Sequence, residues 1–421
     1  MKSLASSSVP MSKKSLEEEL TRLIHMKSAP KDLYHNHSFC QPLFIAETLE
    51  QYDQFQIIVD KYFNESKGKA KKLGQYRKHV EIILLNLSQS VVKRSWLLLS
   101  GDPKAFENGR LLSFCGLISF DHTERFRQFL IQEKLVTFKE GKAYDNKPVQ
   151  NRYWPSKTLA KALAPYGLYA EGKFRPPYVR INTPDDTYVD FQFTKDHPDV
   201  VELTEINEFA EAHQWACKAP IVQVFKDNPF YSGRLFTPFQ NLPTREFNIR
   251  KKTLIDGEEI IETDFNANHL RLFLAAHKEP CSATDPYLEL AEMSDTSRKD
   301  VKGFINVALN SSNYTEAQWA ALAEWGVDRS SSKAIYEAFQ IRYPKLNVLS
   351  GFGTHAMAHE GMILRNVMLQ GVQDDVLALP IHDAIATKAI HKDWAAETML
   401  KCWGRWVKQL DANARTVIKQ S

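Results

Sequence analysis

The chain has 421 residues, 43% hydrophobic and 25% charged, with 54 Lys and Arg against 51 Asp and Glu for a net charge of +3. That composition fits a soluble globular protein of two or three domains with a sizeable core, and so small a net charge neither requires nor rules out nucleic-acid binding. The five cysteines, Cys40, Cys115, Cys217, Cys281 and Cys402, are scattered with no Cys-x-x-Cys pair, which excludes a zinc ribbon and points to a reducing compartment. No apolar run reaches membrane-spanning length, and residues 1–10 lack an apolar secretion core. A cytoplasmic location and no membrane partner are therefore expected.

In chain order, residues 1–75 read as a Ser- and Lys-rich tail, a helix over 15–24 and a basic linker. The linker carries Lys67, Lys69, Lys71 and Lys72, and continues into Arg77 and Lys78; such a run is either solvated or touches phosphate. The next expected domain, 76–160, opens with an apolar pattern from Val80 to Leu99 that predicts one long helix. Leu111–Leu117 reads as a short helix. Asp121 and Glu124 then suit a capping box for a helix carrying Arg125 and Arg127. Val136–Lys139 and Asn151–Trp154 look like two strands. Helix, turn, helix and β-wing resembles a winged helix, which docks on DNA or on protein; Arg125 and Arg127 are its candidate DNA contacts.

Residues 161–230 read as a connecting α/β region, with β-like alternation over 178–193 and a helix over 200–217. In the last expected domain, 231–421, Leu254 to Ile261 predicts a strand, an Asp256-Gly257 turn and a second strand that delivers Asp264. Asp264 and Asp383 each close an apolar, strand-like run. Either Asp alone could simply cap a turn. Brought together at buried strand ends they would repel unless divalent cations lay between them, and hard oxygen ligands favour magnesium over zinc. Two magnesium ions, with manganese as a substitute, suit phosphoryl transfer.

Between the aspartates, Ser297 to Asn310 predicts a helix with Arg298, Lys302, Asn306 and, less closely, Asn310 on one face. Two cations four residues apart repel unless they share an anion, and a nucleoside triphosphate is the natural one. A solvated basic face is the plain alternative.

In this order the residues resemble the superfamily uniting family A DNA polymerases with bacteriophage-type single-subunit RNA polymerases. Asp264 with Arg271, Arg298 with Lys302, and His382-Asp383 look like its three palm and fingers motifs. Gly233-Arg234-Leu235-Phe236, Gln240-Asn241-Leu242, Glu360 to Arg365, and Ile381 to Thr387 look closer to the RNA polymerase branch. The resemblance covers about Tyr231 to Thr387.

It implies an α/β (α+β), mainly helical chain. The fold would be a right-hand polymerase palm with compact fingers, preceded by the N-terminal helical, winged-helix-like region. Asp264, Asp383 and the Phe265 carbonyl would hold metal, and Arg298 and Lys302 would bind phosphates, Lys302 also acting as a proton donor. Arg234, Arg271, His382, Glu360 and Arg365 would lie along the nucleic acid. His382 could instead be a strand-end residue bonded to a carbonyl, and Glu360 an ion-pair residue. His269, Asn306 and Asn310 stand where the family reads the nucleotide sugar, and none matches the family's residues. Sugar choice is therefore open.

The expected activity is template-directed nucleotidyl transfer, by a polymerase or primase-like replication protein of a phage, plasmid or other mobile element. DNA template and primer, nucleoside triphosphates and a helicase or other replication proteins are its expected partners. The alternatives are a small DNA-directed RNA polymerase, a catalytically inactive DNA-binding replication initiator, and a hydrolase using the same carboxylates.

Overall fold

The computed structural model describes residues 13–26, 29–30, 37–106, 119–141, 143–144, 147–148, 150–172, 174, 176–182, 188–189, 195–244, 247–411 and 416–420. The chain is mixed α/β and divides into two units, each built from three chain segments. One holds residues 1–174, 213–220 and 238–259; the other holds 175–212, 221–237 and 260–421. Among the described residues no helix is long and apolar enough to cross a membrane.

The first unit contains, in order, α1 (Lys13–Met26), β1 (His37–Phe39), β2 (Leu43–Phe44), α2 (Glu50–Ser66), α3 (Leu73–Lys93) and β3 (Trp96–Leu98). After these come α4 (Phe120–Gln132), β4 (Val136–Lys139), β5 (Ala143–Tyr144), β6 (Lys147–Pro148), β7 (Arg152–Pro155), α5 (Lys157–Leu163) and β8 (Glu171–Gly172). Helix α3 is its axis. Val80, Ile83, Leu84, Leu87 and Val91 are buried on it together with Asn86, Ser88 and Gln89, so the polar groups need internal partners. Asn86 takes the Gln41 N–H at 2.8 Å and gives its own N–H to the Gln41 carbonyl at 2.7 Å.

The apolar stretch Val80–Leu99 is not one helix. Arg94 turns left-handed (φ 53°) and closes α3, and the remaining apolar residues form β3. β3 lies between β1 and β7 in a four-stranded sheet of order β1-β3-β7-β4. The two strands expected of the wing, β4 and β7, thus pair antiparallel inside a larger sheet. The expected helix Leu111–Leu117 lies outside the described residues. Asp121 and Glu124 make no capping box: α4 starts two residues earlier, at Phe120 behind Ser119, and Glu124 is bound to Arg127.

The second unit begins with β9 (Val179–Asn182), β10 (Tyr188–Val189), α6 (Pro198–Ala212), β11 (Val222–Lys226) and β12 (Asn228–Phe236), its strands ordered β10-β9-β11-β12. The chain then returns to the first unit for β13 (Leu254–Ile255). Asp256 and Gly257, with φ of 50° and 82°, turn β13 back into β14 (Glu258–Phe265), as the Asp-Gly pair predicts.

Helices α7 (Asn268–Ala276), α8 (Pro286–Ser294), α9 (Arg298–Ala308), α10 (Tyr314–Trp325) and α11 (Arg329–Arg342) follow β14. Four of them start on a side-chain cap: Asp285, Ser297, Asn313 and Asp328 each accept a first-turn N–H. Their apolar faces meet in one core around Leu270, Phe273, Leu290, Phe304, Ile335 and Phe339. The chain ends with α12 (Gly353–Gln373), β15 (Leu379–Ile381), β16 (Ala384–Lys388), α13 (Lys392–Val407) and β17 (Ile418–Gln420). In this second sheet the strands run β15-β16-β14, and β17 adds to the free edge of β14.

Helix α12 lies against β12 with almost no gap. A Cβ on Gly361 would stand 1.9 Å from the Gly233 carbonyl oxygen, and Gly233 itself has φ +65°. Both glycines are therefore required where they are. Gly361→Ala should cost about 1–3 kcal/mol of unfolding free energy by forcing the two elements apart. Gly74→Ala, in a helical position with nothing within 4 Å, should instead gain roughly 0.5 kcal/mol. Urea denaturation midpoints would check both; equal midpoints for wild type and Gly361→Ala would deny the contact.

Candidate active site

Asp264 is the next-to-last residue of β14 and is paired with Ala384 of β16. The Phe265 N–H reaches the Asp383 carbonyl at 3.4 Å. The two aspartates thus emerge side by side at one end of the sheet. Asp383 does not close a strand, as the sequence pattern suggests. The strand stops at Ile381 because His382 is left-handed (φ 53°), and His382-Asp383 form the two-residue turn into β16.

Asp264 Oδ1 is buried with no hydrogen-bond partner among the described residues. Burial first, and then the charge of Asp383, push the Asp264 carboxyl well above the usual carboxylate range. Burial and the charge of Glu360 raise Asp383 as well. Lys302 pulls both carboxyls the other way. Among the described residues no three His, Cys, Asp or Glu side chains gather into a metal-binding group, so a cation here would rest on two carboxylates and backbone or solvent oxygens.

Lys302 projects from α9, whose opposite face buries Val301, Phe304, Ile305 and Ala308. Lys302 forms no hydrogen bond or salt bridge with another described residue. Arg298, one turn earlier, is 41% exposed; its Nε donates to Asp285 at 2.6 Å and its guanidinium lies 5.6 Å from the Tyr287 ring centre. One turn later, Asn306 accepts from the Tyr287 hydroxyl at 3.0 Å, and Asn310 donates to the Asn306 carbonyl at 2.9 Å. The predicted polar face of α9 is thus one continuous row, braced from α8.

Glu360 is 1% exposed and acts as a hub. Its carboxylate accepts from Arg234 Nε at 3.1 Å and Asn268 Nδ2 at 3.3 Å, and lies 2.9 Å from His269 Nε2. Burial alone would raise its pKa, but His269, Arg234 and Asn268 outweigh burial and hold it well below the usual range. Arg234 and His269 therefore meet each other at this hub.

Arg271 and Arg365, each 2% exposed, turn inward. Arg271 ties the 281–284 loop through the Ala283 and Thr284 carbonyls at 2.9 and 2.8 Å. Arg365 is paired with Asp199 at 2.6 Å and Glu202 at 2.7 Å on α6. Neither guanidinium faces solvent to meet a strand phosphate. His382 is exposed at the turn apex, and Phe265 is buried beside Asp264. In the first unit, Arg127 is held by Glu124 and the Tyr153 hydroxyl, whereas Arg125 is exposed. Sequence reasoning missed Asp285, Tyr287 and Asn268, which hold the polar row and the hub in place. A Ser/Thr/Asp/Asn-Pro pair before a helix, as in Asp285-Pro286, was the one usable signal.

The raised aspartates fix the sign of a pH effect. Between the ordinary Asp pKa of roughly 4 and the raised native values, the folded protein keeps protons that the unfolded chain has lost, so stability falls as pH rises. In chelator, wild type should lose melting temperature from pH 5 to 8.5, and Asp264→Asn should lose much less and melt higher at pH 8.5. Parallel melting curves for the two proteins across that range would show that the pair is not under strain.

No protein-family model matches the chain, and no curated protein matches it. Among solved structures, the chain is similar to one described as the POL domain of Pol1 from M. smegmatis in complex with DNA primer-template and dNTP. The identity is 10% and the TM-score 0.29, over 88% of this chain and 65% of that one. The chain thus spans less than two thirds of that structure's length. A likeness of that size fixes neither the fold nor the chemistry.

Proposed function

We propose that the second unit is a template-directed nucleotidyltransferase that joins a nucleoside triphosphate to the 3′-hydroxyl of a nucleic-acid strand. One observation carries this: Asp264 and Asp383 stand side by side at one sheet end, with the unpaired Lys302 of a basic helix row acting on both. The donor set suits a hard divalent cation, because Asp264 Oδ1 is buried without a hydrogen-bond partner among the described residues and burial with neighbouring negative charge, Asp383 for Asp264 and Glu360 for Asp383, raises both carboxyls. Asp264, Asp383 and the Phe265 carbonyl would hold magnesium, or manganese in its place. When bound, the metal would lower the pKa of the attacking hydroxyl and neutralise charge developing on the phosphates.

The remaining work falls to this chain's own groups. Lys302 binds the triphosphate and, forming no hydrogen bond or salt bridge with another described residue, can hand a proton to the departing pyrophosphate. Arg298 is held in place by Asp285 and Tyr287 and presents its remaining N–H donors to the terminal phosphates. Asn306, one helical turn past Lys302, would meet the sugar, and His382, exposed on the turn beside Asp383, would meet the strand end. The Glu360 hub keeps Arg234 and His269 fixed next to the carboxylates. In the first unit, exposed Arg125 on α4 is the candidate contact to the DNA backbone.

Incorporation of labelled dNTPs and NTPs on primed and unprimed templates tests the proposal. Asp264→Ala and Asp383→Ala should each lose on the order of 10³-fold in rate. Lys302→Ala should lose roughly 10²-fold in kcat/KM, with a raised nucleotide KM. Cleavage of nucleic acid by wild type, with no nucleotide dependence and no effect of Lys302→Ala, would replace the transferase with a nuclease.

A further inference from the structure

Strand β17 pairs antiparallel with β14 on the edge opposite β16, setting Thr263 against Gln420, Asp264 against Lys419 and Phe265 against Ile418. Directly paired residues send their side chains to the same face. Lys419 therefore rises on the Asp264 side of the sheet, about 4.8 Å away along the pairing direction. Across the sheet end the order is Asp383, Asp264, Lys419.

The strand is anchored on both sides of this lysine. The Val417 carbonyl accepts the Asn266 N–H at 2.7 Å, and Gln420 Nε2 donates to the Lys392 carbonyl at 2.7 Å. Lys419 itself is exposed and forms no hydrogen bond or salt bridge with another described residue. Its charge nevertheless lowers the pKa of Asp264, whereas Lys302 acts on both aspartates. Lys419 thus stands on the edge strand beyond Asp264, away from Asp383, whereas Lys302 acts on the pair from α9.

We infer that Lys419 binds a backbone phosphate of the growing strand, at the phosphodiester next to its 3′-hydroxyl. The inference rests on the transferase reading. In an in-line displacement the attacking hydroxyl and the leaving pyrophosphate lie on opposite sides of the reacting phosphorus. Lys302 and Arg298 serve the triphosphate side. A second cation, held by strand pairing on the sheet edge beyond Asp264 and forming no salt bridge with a described residue, meets the strand that brings the hydroxyl. Such a contact adds affinity and position without reading sequence.

The test uses the full chain and a fluorescent primer–template, with binding measured by anisotropy from 50 to 300 mM salt. Loss of one phosphate contact should weaken binding by about fivefold near 0.15 M salt and reduce the slope of log affinity against log salt by about 1. Lys419→Gln should show both changes, with nucleotide KM at saturating primer–template held within about twofold, and Lys419→Arg should restore them. A melting temperature equal to wild type would show that β17 stays paired in Lys419→Gln. Unchanged affinity and slope would overturn the inference, as would a raised nucleotide KM with unchanged primer affinity, since that would put Lys419 on the triphosphate. Wild type that binds primer–template yet incorporates nothing would overturn the transferase reading instead, because the lysine's contribution is read from binding.

Discussion

Two carboxylates sharing one sheet end, in surroundings too dry for both to ionise comfortably, set the terms for the second unit. Backbone pairing, not side-chain attraction, keeps them together: β14 and β16 stand in register at Asp264 and Ala384, the Phe265 N–H donates to the Asp383 carbonyl, and the turn through His382 leaves Asp383 no other place to go. A fold that enforces such repulsion must spend stability on it, which is a pattern of functional sites. The cations around the pair then divide into two kinds. Arg234 and His269 are committed to Glu360, while Lys302 and Lys419 form no hydrogen bond or salt bridge with another described residue.

Helix α12 supplies the rigidity that this arrangement needs. Its Glu360 gathers three side chains from β12 and α7, and its Arg365 reaches back to α6 and to Gln223 of β11. Between those two residues, Gly361 lets the helix backbone touch β12. A buried carboxylate and a buried guanidinium five residues apart on one helix would be costly if either lacked partners. Here each is paired with groups on different elements, Glu360 with β12 and α7 and Arg365 with α6 and β11, so the helix is fixed in rotation as well as in position.

Much of this was legible in the sequence where the signal is local. The i, i+4 row placed α9 within one residue at its start and two at its end, and Asp256-Gly257 placed the hairpin that leads to Asp264. The signal failed where one apolar run crosses a structural boundary. Val80–Leu99 looks uniform because a buried helix and a buried strand both read as apolar, and only Lys93-Arg94-Ser95 marks the break. The left-handed residue that ends β15 is a histidine, which no turn preference would single out. Partners far apart in the chain, such as Glu360 with Arg234 or Arg365 with Asp199, carry no mark in one sequence at all. Of the residues assigned to nucleic acid by pattern, Arg127, Arg234, Arg271, Arg365 and Glu360 are engaged by other groups of the protein.

The interleaving of the two units has a mechanical consequence. The chain passes between them five times, at 174/175, 212/213, 220/221, 237/238 and 259/260. The motif-bearing stretch from Tyr231 onward is therefore not a separable piece: it would leave behind α6, β9 and β11, stripping the floor from β12 and leaving the Arg365 guanidinium buried without Asp199, Glu202 and Gln223. Nor would one protease nick free either unit, since four other passages would still hold the strands of both in register.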